Sequence, residues 1–318
     1  MRRMAGPTPG LVRPPAVAGL FYPADPDECR ATAQQLLSMS PRDELRTSAS
    51  APDAGTTESE RASRRLLGAV APHAGWICSG QIAADAIATL ARHAGGVDAV
   101  VVFGAVHTLL ETDVAALDSA AAWSVPSGKA PVAEDVRGGL REKRELFEVD
   151  ERFHRREHAV EVELPLIELS FGESAAIVPI EVPTIEQADS IGRAVARRVI
   201  ALNRRAVFLA SSDLTHYGPA YQFAPAGVGI GGLRWAKQND RRLLDLVERY
   251  DVESIVPEVR SRQNACGGGA IAAMLAACRE LGASRATVLR HASSYETLAE
   301  LEPQSPANAV GYAAVVVG

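Results

Sequence analysis

The chain has 318 residues, 47% of them hydrophobic, enough for one large domain or two small ones with a full core. Aromatics are 5%, the net charge is -6 and the pI about 5.7, which excludes base-stacking platforms and the basic footprint of a DNA- or RNA-binding protein. No apolar stretch has the length to cross a bilayer, no signal-type segment follows Met1, and the four cysteines form no CxxC pair, so a cytoplasmic protein with reduced thiols is expected.

In chain order, residues 1–13 read as a flexible tail ahead of a single domain over 14–318. A helix is predicted over 27–38 with Asp27 as its cap. Residues 40–65 are rich in Ser, Thr, Ala, Asp and Glu, with too little apolar surface to offset ordering entropy, and read as a mobile insertion. A strand over 67–71 runs through Pro72 to His73, and Ser79 caps a helix over 80–93. A second apolar run, 98–104, ends near His107. Then come a strand over 113–118, helices over 133–147 and 156–170, a strand over 175–182, and a helix over 186–203 whose Ile191, Val195 and Val199 form one buried stripe. The strand over 206–211 leads to Asp213 and His216, and a helix over 232–249 follows. Cys266 opens a helix over 267–281, and strands over 285–291 and 309–317 close the chain. Several strands are unbroken Val/Ile/Ala runs, as in sheets covered on both faces. The alternation predicts a layered α/β fold with a central, mostly parallel or mixed β-sheet flanked by helices.

Buried strands deliver chemistry at the ends of such a sheet, so polar residues there are the candidates. His73 and His107 each follow a strand and a tight turn; each suits a metal ligand or acid/base, or a histidine that only serves its turn. Asp213 and His216 are three apart, and the carboxylate is expected to hold the far ring nitrogen of the imidazole. On a helix, His158 and Glu161 would share a face, with Glu157 and Glu163 toward solvent and His154 a surface residue. His93 and His291 have no supporting context. Cys266 precedes Gly267, Gly268 and Gly269 at a helix start, where unpaired N–H groups favour the thiolate. Cys278 reads as a small buried hydrophobe. Without GxGxxG after a strand, and without GKS or GKT, the glycine run does not read as a phosphate loop.

These segments resemble the Memo family (the B protein of the AmmeMemoRadiSam group), whose fold is similar to that of class III extradiol dioxygenases. The matching pieces are Pro14-Pro-Ala-Val-Ala-Gly-Leu-Phe-Tyr-Pro23, Pro72-His-Ala-Gly75 with Ser79-Gly80, Phe103-Gly-Ala-Val-His107 and Glu157-His158 with Glu161 and Pro165. They continue with Ser211-Ser-Asp213, His216-Tyr-Gly218, Cys266-Gly267 and Val310-Gly-Tyr-Ala313. The resemblance implies a metal site of His73, His107 and Cys266, with Asp213 and His216 lining the same pocket and His158 nearby. It also implies an Ammecr-type or radical-enzyme partner. The chain departs from the family at Gly104-Ala-Val-His107, where Gly-Pro is usual, and at Gly268, where an arginine usually stands.

The leading expectation is a non-heme iron oxidoreductase that activates O₂ on a small phenolic or catechol-like substrate. His216, oriented by Asp213, would be its base, with His158 as a second acid/base or hydrogen-bond donor. The alternatives are a copper- or zinc-binding redox or interaction protein without turnover, and a metal-free hydrolase with Cys266 as nucleophile and His216 as base.

Overall fold

The apolar runs become the middle of the molecule in the computed structural model, which describes residues 10–41, 65–126, 128–172, 175–299, 301 and 304–318. Its strands are β1 (Val12–Arg13), β2 (Gly68–Ala71), β3 (Ala99–Gly104), β4 (Ala115–Leu117), β5 (Ala122–Val125), β6 (Gly128–Pro131), β7 (Phe147–Val149), β8 (Ala176–Glu181), β9 (Ala206–Ser211), β10 (His216–Tyr217), β11 (Ala286–Ser293) and β12 (Ala309–Val317). The helices are α1 (Pro26–Met39), α2 (Trp76–His93), α3 (Glu134–Leu140), α4 (Leu164–Phe171), α5 (Ala188–Ala201), α6 (Ile230–Glu248), α7 (Val252–Arg262), α8 (Gly268–Glu280) and α9 (Ser294–Ala299).

The main sheet runs β10-β12-β2-β9-β3-β8-β4-β7, with β11 on β12. Its centre, β2-β9-β3-β8, is parallel, while β12 pairs antiparallel with β2, and β4 antiparallel with β8. The sheet is therefore mixed, and helices cover both faces. Val101, Phe103, Phe208 and Ala210 pack with α5, α6, α7 and α8 on one face. Val100, Val102, Val207 and Leu209 pack with α1, α2 and α4 on the other. Burial on both faces explains why these strands carry no polar alternation.

Several local expectations are corrected. Asp25, not Asp27, caps α1, accepting from the backbone N–H of Asp27 and Glu28, because Pro26 already occupies the first helical position. Helix α2 starts at Trp76, whose N–H donates to the Phe21 carbonyl, so Ser79 lies inside the helix and its hydroxyl donates to Ala74 O. The helix expected over 156–170 is confined to a 3-10 turn at Glu161–Glu163 followed by α4. His158 lies outside it because Glu157 caps the backbone N–H of His158 and Ala159 with its own carboxylate. The expected tail ends in structure: Val12–Arg13 pair parallel with β5, and Arg13 is buried against Glu161 at 2.6 Å. Residues 1–9 of that tail, and 42–64 of the expected insertion, lie outside the described residues.

Candidate metal centre

The parallel strands β2, β3 and β9 end side by side, and the polar residues just beyond them meet there. His73 follows β2 by two residues and is 1% exposed. Its backbone N–H donates to Asp213 Oδ1 at 2.9 Å. Its Nδ1 lies 2.9 Å from Ser211 Oγ, and that hydroxyl donates to the Ala159 carbonyl at 2.6 Å. The hydroxyl proton is thus committed, so Nδ1 of His73 carries the hydrogen and Nε2 is left as a bare lone pair. That nitrogen lies 3.3 Å from Cys266 Sγ. Burial, with His107 and His158 beside it, holds the His73 pKa well below the usual imidazole range and keeps the ring neutral, the form that binds metal.

His107 follows β3 and is anchored by Glu157, which accepts from its Nδ1 at 2.8 Å and from its backbone N–H at 2.7 Å. The same carboxylate lies 3.3 Å from Nδ1 of His158. Burial alone would lower the His107 pKa, but hydrogen bonds to Cys266 and Glu157 outweigh it and raise it. Burial likewise opposes ionisation of Glu157, yet its bonds to His107 and His158 drive its pKa below the usual carboxylate range. The three rings are in contact: centroids lie 5.1 Å apart for His73 and His107, 5.2 Å for His73 and His158, and 4.5 Å for His107 and His158. One nitrogen from each ring falls in a group spanning no more than 4.8 Å, a cluster with the spacing of metal ligands.

Cys266 reaches this point from the start of α8. The Asp213 N–H donates to its sulfur at 3.3 Å. Burial pushes the thiol pKa up, and the hydrogen bond from His107 pulls against it. The glycine run after Cys266 serves close approach. A Cβ at Gly267 would sit 2.7 Å from Ser212 Cβ, and one at Gly268 would sit 2.8 Å from Val259 Cγ1. A side chain such as arginine at position 268 therefore has no room in this packing, which accounts for the glycine. From α6, Asn239 Nδ2 donates to Thr215 Oγ1 and Arg262 O, tying the loops of His216 and Cys266 together.

Asp213 does not hold His216. The Leu214 carbonyl lies 3.2 Å from His216 Nδ1, and a carbonyl only accepts, so that nitrogen carries the proton and Nε2 is the free base. Asp213 is engaged instead by the His73 N–H, and burial raises its pKa. His216 and Cys266 share a cavity of about 330 Å³ with Thr184, Tyr221, Phe223 and Val259. Glu161 is fully buried and faces away from the cluster, accepting from Arg13, the Ala16 and Val17 N–H groups and the Tyr22 hydroxyl.

Residues expected at the surface prove to be supports. Glu157 is 4% exposed and orients His107, while Glu163 is fully buried at 3.2 Å from Ser211 Oγ. His154 is 2% exposed, its Nε2 bound to Ala116 O and its Nδ1 facing Glu181. The sequence signal for Glu157 was its place beside His158, ahead of the apolar run Ala159-Val160. His93 donates from Nδ1 to the Thr89 carbonyl, and His291 pairs with Asp240, both apart from the cluster. The donor set fits a transition metal: the neutral His73 ring, the His107 imidazole, a nearby sulfur, and remote ring nitrogens fixed by Ser211 and Glu157, the arrangement that orients metal-binding histidines.

The sequence model of the family described as Memo-like protein matches residues 13–316. A MEMO1 family protein of Methanosarcina barkeri is 32% identical over 309 residues, covering 96% of this chain and 100% of that protein. Another, of Methanocaldococcus jannaschii, is 33% identical over 315 residues, covering 96% and 99%. A solved structure of an uncharacterized Escherichia coli K12 protein overlaps 80% of this chain and 100% of its own at a TM-score of 0.49 and 10% identity. With a family match over nearly its whole length and relatives above 30% identity end to end, this chain belongs to the Memo family.

Proposed function

We propose that the protein is a metal-dependent oxidoreductase that uses O₂ on a small phenolic or catechol-like substrate, with Fe(II) as the metal and copper or zinc as competing occupants. The observation that carries this reading is the convergence of His73, His107 and His158 within 4.8 Å, with the Cys266 sulfur 3.3 Å from His73 Nε2. His73, His107 and Cys266 are the ligands in this reading, and His158 stands beside them as an acid/base. Iron held there would offer open positions to O₂ and a substrate oxygen. The residues supply the rest. The cavity of about 330 Å³ suits one ring, with Tyr221 and Phe223 as aromatic walls. His216 Nε2, bare because Nδ1 is committed to Leu214 O, takes the proton of a substrate hydroxyl. His158 shares the Glu157 carboxylate with His107, so it can hold and return a proton next to the ligands.

The test is anaerobic metal reconstitution, followed by metal analysis and oxygen uptake with a panel of phenols. The expected result is one metal ion per chain in wild type and in His158→Ala and His216→Ala. Metal should be absent from His107→Ala, and oxygen uptake lost in His216→Ala. Full metal loading of His107→Ala contradicts the ligand assignment. Metal loading without oxygen uptake on any phenol contradicts the catalytic reading.

A further inference from the structure

Beside His107, on a different wall from the His216 cavity, lies a second cavity of about 360 Å³ lined by His107, Thr108, Arg152, Phe153, Arg155, Arg156 and Glu157. Three of its seven lining residues are arginines, in a chain whose net charge is -6. We infer that this cavity is an anion subsite. In it Arg155 and Arg156 bind a carboxylate or phosphate of a small anionic ligand seated beside His107, apart from the ring held in the His216 cavity. The inference stands on the lining of this cavity and goes beyond the metal-site reading above.

The charges in the cavity do not cancel. Arg152 is taken by Asp150, which accepts from its Nε at 2.9 Å and its Nη2 at 2.5 Å. The Glu157 carboxylate is consumed by His107 Nδ1 and the N–H groups of His107, His158 and Ala159. Arg155 and Arg156 have no carboxylate partner among the described residues, and both are exposed. Two unpaired guanidiniums at a cavity wall are the side chains suited to bidentate recognition of a planar carboxylate or a phosphate.

Their backbone is also held in place. The side chains of Phe153 and His154 are each 2% exposed and anchor the segment from below. The buried Arg13 donates from Nε to the His154 carbonyl at 2.9 Å and from Nη2 to the Glu157 carbonyl at 2.6 Å. These two carbonyls bracket the Arg155-Arg156 pair, so the peptide that carries the free guanidiniums is pinned at both ends. A surface run of arginines in a loose loop would have no such bracket. Fixing the backbone lowers the ordering cost of binding.

Calorimetry on the full chain tests this with 4-hydroxyphenylacetate, its neutral amide 4-hydroxyphenylacetamide, and inorganic phosphate. Each is titrated into wild type and into an Arg155→Gln/Arg156→Gln double variant, metal-loaded and metal-free, at low salt. Wild type should bind at least one anion, 4-hydroxyphenylacetate or phosphate, about tenfold or more tighter than the amide, and which of the two binds identifies a carboxylate or phosphate ligand. The double variant should lose that preference while keeping its metal content, and Arg155→Lys/Arg156→Lys should restore part of it. Equal affinity of wild type for both anions and the amide, or a preference that survives in the double variant, overturns the inference. Metal uptake without anion preference sinks the subsite alone. Anion preference in a protein that takes up no metal supports the subsite and sinks the metal reading.

Discussion

Glu157→Gln separates a support of the metal centre from a mere structural carboxylate. Glu157 Oε1 accepts from His107 Nδ1 at 2.8 Å, His158 N at 2.8 Å and Ala159 N at 3.1 Å, and Oε2 accepts from His107 N at 2.7 Å. A glutamine whose oxygen replaces Oε1 keeps the first three bonds but turns an amide NH₂ toward the His107 backbone N–H. One buried donor then loses its acceptor, at a cost of about 1–3 kcal/mol in folding stability. The second effect is on the metal. Loss of the carboxylate behind an imidazole ligand weakens metal binding by about 10–100-fold, or about 1.4–2.7 kcal/mol. Competition against a chromophoric chelator under anaerobic conditions reads the affinity, and urea denaturation of the metal-free protein reads the stability. This loss of affinity measures the coupling of Glu157 to the metal through the His107 imidazole. Affinity within about twofold of wild type in Glu157→Gln, beside the expected loss of stability, would refute the coupling.

Two further outcomes follow from the same geometry. Burial lowers the His154 pKa from 6.5 to about 4, so below pH 6.5 the unfolded chain takes up a proton that the native state refuses. Stability attributable to His154 is therefore lost as pH falls from 6.5 toward 4, by about 3 kcal/mol in all. Glu163 and Glu181 have raised pKa values and act in the opposite sense, so the measurement is the difference in denaturation free energy between wild type and His154→Gln from pH 4 to 7.5. A difference independent of pH refutes the assignment. For Cys266→Ser, copper and zinc affinities should fall more than about 100-fold, beyond the loss of an outer support, while magnesium affinity stays put. Equal losses for copper and magnesium count against coordination by sulfur.

What the sequence revealed follows from where physics leaves a local mark. All seven strands expected from apolar runs are present, including 98–104 as Ala99–Gly104 and 206–211 as Ala206–Ser211, because a strand buried on both faces can only be apolar. The missed strands β1, β5, β6, β7 and β10 have two to four residues each, and pairing with neighbours, not pattern, makes them strands. Helix α7 was missed because Pro257 lies inside it and reads as a breaker. In the site, His73, His107, Asp213 and Cys266 were legible because strand ends and a helix start place them. Glu157 and Glu163 were not: a carboxylate is buried only when donors come to it, and the donors of Glu157 include His107, 50 positions away. The expected Asp213–His216 pair failed for a similar reason, since the His73 N–H, 140 positions distant, claims the Asp213 oxygen first.

The charge around the cluster gives a last argument for a divalent ion. Burial pushes Glu163, Glu181 and Asp213 upward, toward the neutral acid, and Glu163 Oε2 and both Glu181 oxygens have no hydrogen-bond partner, which a buried carboxylate anion could not tolerate. Glu157 alone is driven the other way, to the ionised form. A thiolate at Cys266 would be the second negative charge, and burial resists it. The ionised Glu157 calls for a positive charge beside it, and the raised pKa of His107 lets that ring supply one. A divalent ion among the rings and the sulfur would add to that positive charge and would favour the thiolate that burial resists. Hydrogen bonds to Cys266 and Glu157 are what raise the His107 pKa despite burial.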